Sequence, residues 1–229
     1  HKNIGGYSPA KLQRYQNLID YYLKDELRTL YDFLKENEQK QQGKGERMDL
    51  EKNLPELPII SLLNGKYIII GEDNYPLLNK KAMGNAWFIN SILIVHGQEI
   101  ESLANLDFRT WAVMREYDMD KIVLSDSLSS YSKAYPTDMK LESDLRGDIQ
   151  MIAYSPKELR YSYKLDLKGK FSGEILEKER WAVFSEIFYP GWKAILVDPK
   201  TKEELKELPI KRANWMLRAV KLPLGEYEL

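Results

Sequence analysis

The sequence contains no cysteine and only two histidines, His1 and His96. That excludes disulfides and thiolate chemistry, leaves no zinc-finger spacing, and removes almost every histidine-based metal site. Long apolar runs are missing too: stretches such as "PIISLL" and "YIII" fall far short of the ~20 residues that span a bilayer. Neither sign of charge is in excess, with 34 Lys plus Arg against 35 Asp plus Glu. No dense basic run with interleaved aromatics occurs, so nucleic acid is not an expected partner. No repeat of about 20 to 50 residues is present, which excludes a solenoid. A serine nucleophile has no G-x-S-x-G elbow to sit on, and His96, beside Gly97 at the end of an apolar run, reads as a turn residue rather than a base.

What remains is 229 residues, 43% hydrophobic and 30% charged, enough to bury one sizeable core or two small ones. The chain starts "HKNIGGYSP" without an initiator Met or a signal sequence and stops at "LGEYEL" inside a strand-like alternation. It therefore reads as a piece of a longer protein.

Ser8-Pro9 reads as an N-cap with proline at the first helical position. The apolar positions Leu12, Tyr15, Leu18, Ile19, Tyr22, Leu23, Leu27, Leu30, Tyr31 and Leu34 follow at helical spacing, as one amphipathic helix or as two broken near Asp25. The polar stretch "ENEQKQQGKGER" predicts a flexible loop over residues 38–54. The "GKG" around Lys44 lacks the spacing of a phosphate-binding loop. Residues 59–63 predict a short helix capped at Asn64-Gly65, 66–70 a buried strand, 86–95 a second strand, and "TWAVM" a third. Between the last two, "GQEIESLANLDF" predicts a short helix with Ile100, Leu103 and Leu106 on one face. From about residue 122 the pattern becomes short aromatic and β-branched segments spaced by Pro, Gly, Asp and Asn. The expected fold is therefore α+β: an N-terminal helical and small α/β unit over 1–121, followed by an antiparallel β-sandwich-like domain over 122–229.

Three constellations could carry function. "GNAWF" predicts a tight turn delivering Trp87, with core packing preferred over ligand stacking. In "FYPGWKAILVD", Pro190-Gly191 bends the chain between Tyr189 and Trp192, either as a ligand platform or as a packed corner. In "IKRANWMLRAV", strand alternation puts Arg212, Asn214 and Met216 on one face and Ala213, Trp215 and Leu217 on the other, so a polar row could meet a ligand, with a paired sheet surface the preferred reading. Acid pairs of the kind glycosidases use could come from Glu174, Glu177, Glu179, Glu186 or Asp198, although solvated strand faces are the better reading of them. No catalytic or metal-ligating set stands out.

"NIGGYSPAKLQRYQNLID", "LLNGKYIII" with "PLLNKKAMGNAWFIN", and "VFSEIFYPGWKAILVD" through "IKRANWMLRAVKLPLGEYEL" together resemble the large exported region of bacterial YfhO-family membrane proteins. The closing motif, YPGWKA followed by Arg-Ala-Asn, Leu-Arg-Ala-Val and Pro-x-Gly, is its most specific part. The insertion "EQKQQGKGERMDLEKN" and the long loop "VDPKTKEELKELP" depart from the family pattern.

That family is similar to polytopic GT-C-type glycosyltransferases that use lipid-linked sugar donors. The resemblance implies an extracytoplasmic domain on the periplasmic side of the inner membrane. Its partners would be its own transmembrane domain and an envelope glycan, with the catalytic carboxylate and the donor site elsewhere in the parent protein. No cofactor is implied for this segment. The residues expected to meet a glycan are Trp87, Tyr189, Trp192, Arg212, Asn214 and Trp215. A carbohydrate-active hydrolase and a purely structural module are the alternatives.

Overall fold

A computed structural model describes residues 13–44, 50–69, 76–95, 100–104, 106–115, 134–135, 145–167 and 179–229. The expected helix start at Ser8-Pro9, residues 45–49 of the expected polar loop, His96, Glu174 and Glu177 all lie outside these residues. The chain divides into two compact units, 1–84 and 85–229.

In the first unit, α1 (Gln13–Leu18), a π turn (Ile19–Leu23) and α2 (Lys24–Lys44) follow without a break. Both expected alternatives are thereby resolved: one path, with an irregular turn just before Asp25. The π turn separates the buried Leu18 and Leu23 by five residues, and Glu26, Leu30 and Asn37 continue the buried face. Because π geometry closes i→i+5, the extra residue keeps both leucines on that face. Leu27 and Tyr31, expected on the apolar stripe, are exposed. The helix also runs to Lys44, into the segment expected as loop.

α3 (Pro58–Leu62) starts with proline in its first turn and ends at Asn64, whose φ of 58° suits a left-handed cap. Among the described residues β1 (Tyr67–Ile68) pairs only with β2 (Leu77–Leu78), and Tyr67 and Ile69 are exposed. The buried strand expected over 66–70 is thus a two-residue surface ladder, too short to present a face to a core.

The described residues of the second unit are mostly strand. β3 (Ala86–Phe88) and β4 (Ser91–Val95) divide the single strand expected over 86–95. The chain turns a corner between them: Ile89 N–H donates to Trp181 and Asn90 N–H to Thr110. A 3₁₀ turn (Glu101–Leu103) replaces the expected helix, with Ile100 and Leu103 buried. β4 then pairs in parallel with β5 (Trp111–Arg115) and antiparallel with β6 (Ala134–Tyr135).

The remaining strands are β7 (Leu145–Tyr154), β8 (Leu159–Leu167), β9 (Glu179–Ile187), β10 (Ala194–Val197), β11 (Glu204–Leu208), β12 (Ile210–Ala213), β13 (Leu217–Pro223) and β14 (Gly225–Glu228). They build two antiparallel sheets, ordered β11-β10-β14-β8-β7 and β12-β13-β9-β3. One hydrophobic core draws Ile149, Tyr161, Tyr163, Leu165, Leu196 and Leu208 from the first sheet and Ala182, Phe184, Val220 and Leu222 from the second. The fold is mixed α+β and rich in antiparallel sheet.

Because β3 pairs with β9, Ala86–Phe88 belong with the later strands, and the chain divides after Gly84, where the expected boundary was 121/122.

Candidate functional site

The Pro190-Gly191 bend is where the expected strand–bend–strand reading gains content. β9 and β10 belong to different sheets, so the bend carries the chain from one to the other. Gly191 makes this turn at φ 97°, a value that side chains resist. Phe188 N–H anchors the exit from β9 by donating to Met216 C=O at 2.7 Å.

The bend forms one wall of a groove of about 820 Å³ whose lining includes Tyr161, Phe184, Glu186, Trp192, Arg218 and Val220. Register explains how these residues converge. Arg218 lies opposite Phe184 on β9 and opposite Arg212 on β12, and Val220 lies opposite Ala182. One face of this sheet therefore runs from apolar core at Val220 and Phe184 into the charged Arg218 at its end. Half-buried, Arg218 donates through Nε to Ile187 C=O at 3.0 Å and lays its guanidinium 4.2 Å from the Trp192 ring centroid. Partial burial lowers its pKa while Glu186 and Tyr161 counteract, and it stays a cation at any physiological pH.

Tyr161 comes from β8. It packs edge-on against Phe184 with ring centroids 4.9 Å apart, it is 3% exposed, and its hydroxyl has no hydrogen-bond partner. Burial, reinforced by the charge of Glu186, pushes the phenol's pKa far up, so it remains a neutral O–H.

Of the six residues expected to meet a ligand, only Trp192 is in the groove. Tyr189, 59% exposed, lies outside its lining. Arg212 is half-buried with its guanidinium 4.6 Å from the Phe188 ring centroid. Trp87 is half-buried, its indole N–H donating to Phe108 C=O at 2.8 Å.

Asn214 and Trp215 are buried in the β12–β13 loop. The expected alternation of Arg212, Asn214 and Met216 on one face is corrected here. φ values of 47° and 73° at Asn214 and Trp215 end the strand, and left-handed backbone interrupts the period of two. Trp215 stacks instead with Arg115, 5.5 Å away.

Among the acids, Glu186 reaches the groove. Glu179 pairs with Lys221 at 3.8 Å. Asp198 accepts from the backbone N–H groups of Lys200 and Thr201, bonds that hold its carboxyl below the usual range. Among the described residues no group of three or more acids, histidines or cysteines is placed to hold a metal ion, and no helix is long and apolar enough to cross a membrane.

Tyr161 was not singled out from sequence. Its signal was the alternation Tyr161, Tyr163, Leu165 in "YSYKL", which marks a core-facing row but not which member ends at a groove.

No protein-family model, curated protein or solved structure matches this chain.

Proposed function

We propose that this chain is a non-catalytic extracytoplasmic domain of a polytopic membrane protein of the glycosyltransferase type, and that it recognises an acceptor glycan beside its own transmembrane domain. The two antiparallel sheets of the second unit are read as a β-sandwich, a reading supported by the core that both contribute to. The observation that carries the recognition role is the groove at the Pro190-Gly191 bend, where a half-buried indole and a guanidinium stand in one lining with the Glu186 carboxylate. Sugars ask for this combination: an apolar ring face for their C–H groups and a few fixed polar groups for their hydroxyls. The membrane setting rests on the sequence resemblance alone, and a lipid-linked donor would belong to the parent protein.

The test is titration of the chain with neutral oligosaccharides, followed by NMR of the tryptophan indole N–H groups. Saturable shifts at the Trp192 indole are expected in the wild type, with no sugar-induced shift at any remaining indole in Trp192→Ala. Absence of any shift at millimolar sugar removes the recognition role. Apolar spans of ~20 residues beside this segment in the full gene product are expected from the membrane setting, and their absence removes it.

A further inference from the structure

We infer that α2 carries a lipid-docking face: Leu27, Tyr31 and Leu34 enter the interfacial layer of an anionic bilayer while Lys24, Arg28 and Lys35 meet its headgroups. The inference rests on the membrane setting proposed above and adds to it the surface of the first unit that touches lipid. The groove plays no part in it.

The ground is the order of four rows around one helix. From Lys24 to Asn37 the chain is α-helical, so residues three and four apart share a face and a step of one residue turns that face by about 100°. Glu26, Leu30 and Asn37 form the row that the unit buries, and half-buried Phe33 completes its spacing. Beside it run Leu27, Tyr31 and Leu34, at i, i+4 and i+7. Leu27 is 53% exposed, Tyr31 64%, and Leu34 is half-buried. The apolar surface of the helix is therefore wider than the part its own unit covers. Beyond this row lie Lys24, Arg28 and Lys35, all exposed, at i, i+4 and i+11. Asp25, Asp32 and Glu36, exposed as well, take the side opposite the apolar row.

A helix lying in a bilayer surface needs that order. Leucines face the acyl chains, a tyrosine ring with its polar tip suits the headgroup level, and long basic side chains lay their stems along the apolar edge and reach lipid phosphates. The acids point back to water. Lys24 pairs with Asp20 at 2.6 Å and Arg28 with Asp25 at 3.5 Å. All four side chains are exposed, so these pairs are worth little against a phosphate surface.

A second copy of the chain fits this face less well. Two such helices packed antiparallel across the apolar row would set one basic row beside the other, and like charges there oppose the pairing.

The test floats the chain with vesicles of phosphatidylcholine alone and with vesicles of three parts phosphatidylcholine to one of phosphatidylglycerol. Because the chain has no cysteine, one introduced cysteine takes an environment-sensitive fluorophore at a chosen place. Leu27→Cys reports from the apolar row and Asp32→Cys from the opposite side. Anionic vesicles are expected to brighten and blue-shift the label at 27 and to leave that at 32 unchanged. Binding should be at least about fivefold stronger than to phosphatidylcholine alone and should weaken with added salt. The double variant Leu27→Ser with Tyr31→Ser should bind about tenfold more weakly or worse. Both side chains are exposed, so it should melt close to the wild-type temperature.

No flotation at millimolar lipid overturns the inference. So does an equal response at 27 and 32, which means adsorption by some other surface. Equal binding to the two kinds of vesicle overturns the role of the basic row. Self-association in light scattering, abolished by the double variant in the absence of lipid, assigns the row to a second copy and overturns lipid docking. The membrane setting is tested apart from this, by the apolar spans in the full gene product. Spans present without flotation remove this inference alone, and absent spans remove the setting whatever the vesicles show.

Discussion

Asn214 and Val113 exchange two hydrogen bonds, Asn214 N–H to Val113 C=O and Val113 N–H to Asn214 Oδ1, each 2.8 Å. The side chain acts as a short length of strand, completing the edge of β5 with a residue from the β12–β13 loop. Three requirements meet at one position: a left-handed φ of 47°, an acceptor on a short side chain, and no charge, since the residue is fully buried. Asparagine meets all three.

Asn214→Ala is accordingly expected to leave the Val113 N–H buried without an acceptor, at a cost of about 1–3 kcal/mol. Asn214→Gly keeps the backbone conformation and loses the same acceptor, so it should recover only the part due to φ. Asn214→Asp keeps the acceptor and buries a charge, so it should stay destabilised. Urea unfolding of the three variants separates the contributions.

Glu26 gives a prediction in pH. Its carboxylate accepts the N–H groups of Ile59 and Ile60 at 2.7 and 2.9 Å, at the N-terminus of α3. Burial raises its pKa, and the two backbone bonds only partly counteract. A carboxyl whose pKa is higher folded than unfolded binds more protons in the native state, so its contribution to stability falls as pH rises from the ordinary glutamate value of about 4.3 through the raised one. In Glu26→Gln that component is absent. The stability of the wild type minus that of Glu26→Gln, followed by denaturant unfolding across this range, should therefore decline with rising pH; a flat or rising difference would contradict the assignment.

These two residues mark what could be read from the chain and what could not. The elements were legible where alternation, proline and glycine act locally: the long first helix, the short one at Pro58, the strand at Trp111, and the bend at Pro190-Gly191. Sheet membership was not, because register is decided by partners far away in sequence. Nothing local says that the chain leaves one sheet at Ile89 or that β9 and β10 belong to different ones. Glu26 and Asn214 were illegible for a related reason, since each is a polar residue whose burial makes sense only with its backbone partner 33 or 101 residues away. The groove needed Tyr161, Glu186, Trp192 and Arg218 from separate stretches, and only Trp192 among them was expected to meet a ligand.

Gly147 illustrates a steric dependence of the same kind. A Cβ placed there would lie 2.6 Å from Phe88 Cε2 and 3.0 Å from Leu165 Cδ1. Phe88 also packs edge-on to Tyr163, with ring centroids 6.2 Å apart, so its ring is not free to swing away. Gly147→Ala is expected to cost about 1–3 kcal/mol through overpacking. In a Phe88→Leu background the same change should cost less, because the clash partner has been shortened. A double-mutant cycle by thermal or urea unfolding measures this coupling, and strict additivity would show that Phe88 is not the obstacle.

Tyr189 and Gly191 divide the bend into a part that the groove uses and a part that it does not. Tyr189 is 59% exposed and contributes nothing to the groove lining, so Tyr189→Ala should change stability by no more than about 0.5 kcal/mol. It should also leave sugar-induced shifts at Trp192 intact. At Gly191, by contrast, a Cβ meets no atom within 4 Å, but φ is 97°. Gly191→Ala therefore has room for its side chain and still strains the backbone, at about 1–2 kcal/mol. Relief of that strain would rotate the peptide that presents Trp192 to Arg218, so the variant should weaken binding as well as folding. Parallel NMR titration and unfolding of both variants decides the matter: a bend that serves only to connect the sheets would lose stability in Gly191→Ala and keep the Trp192 response unchanged.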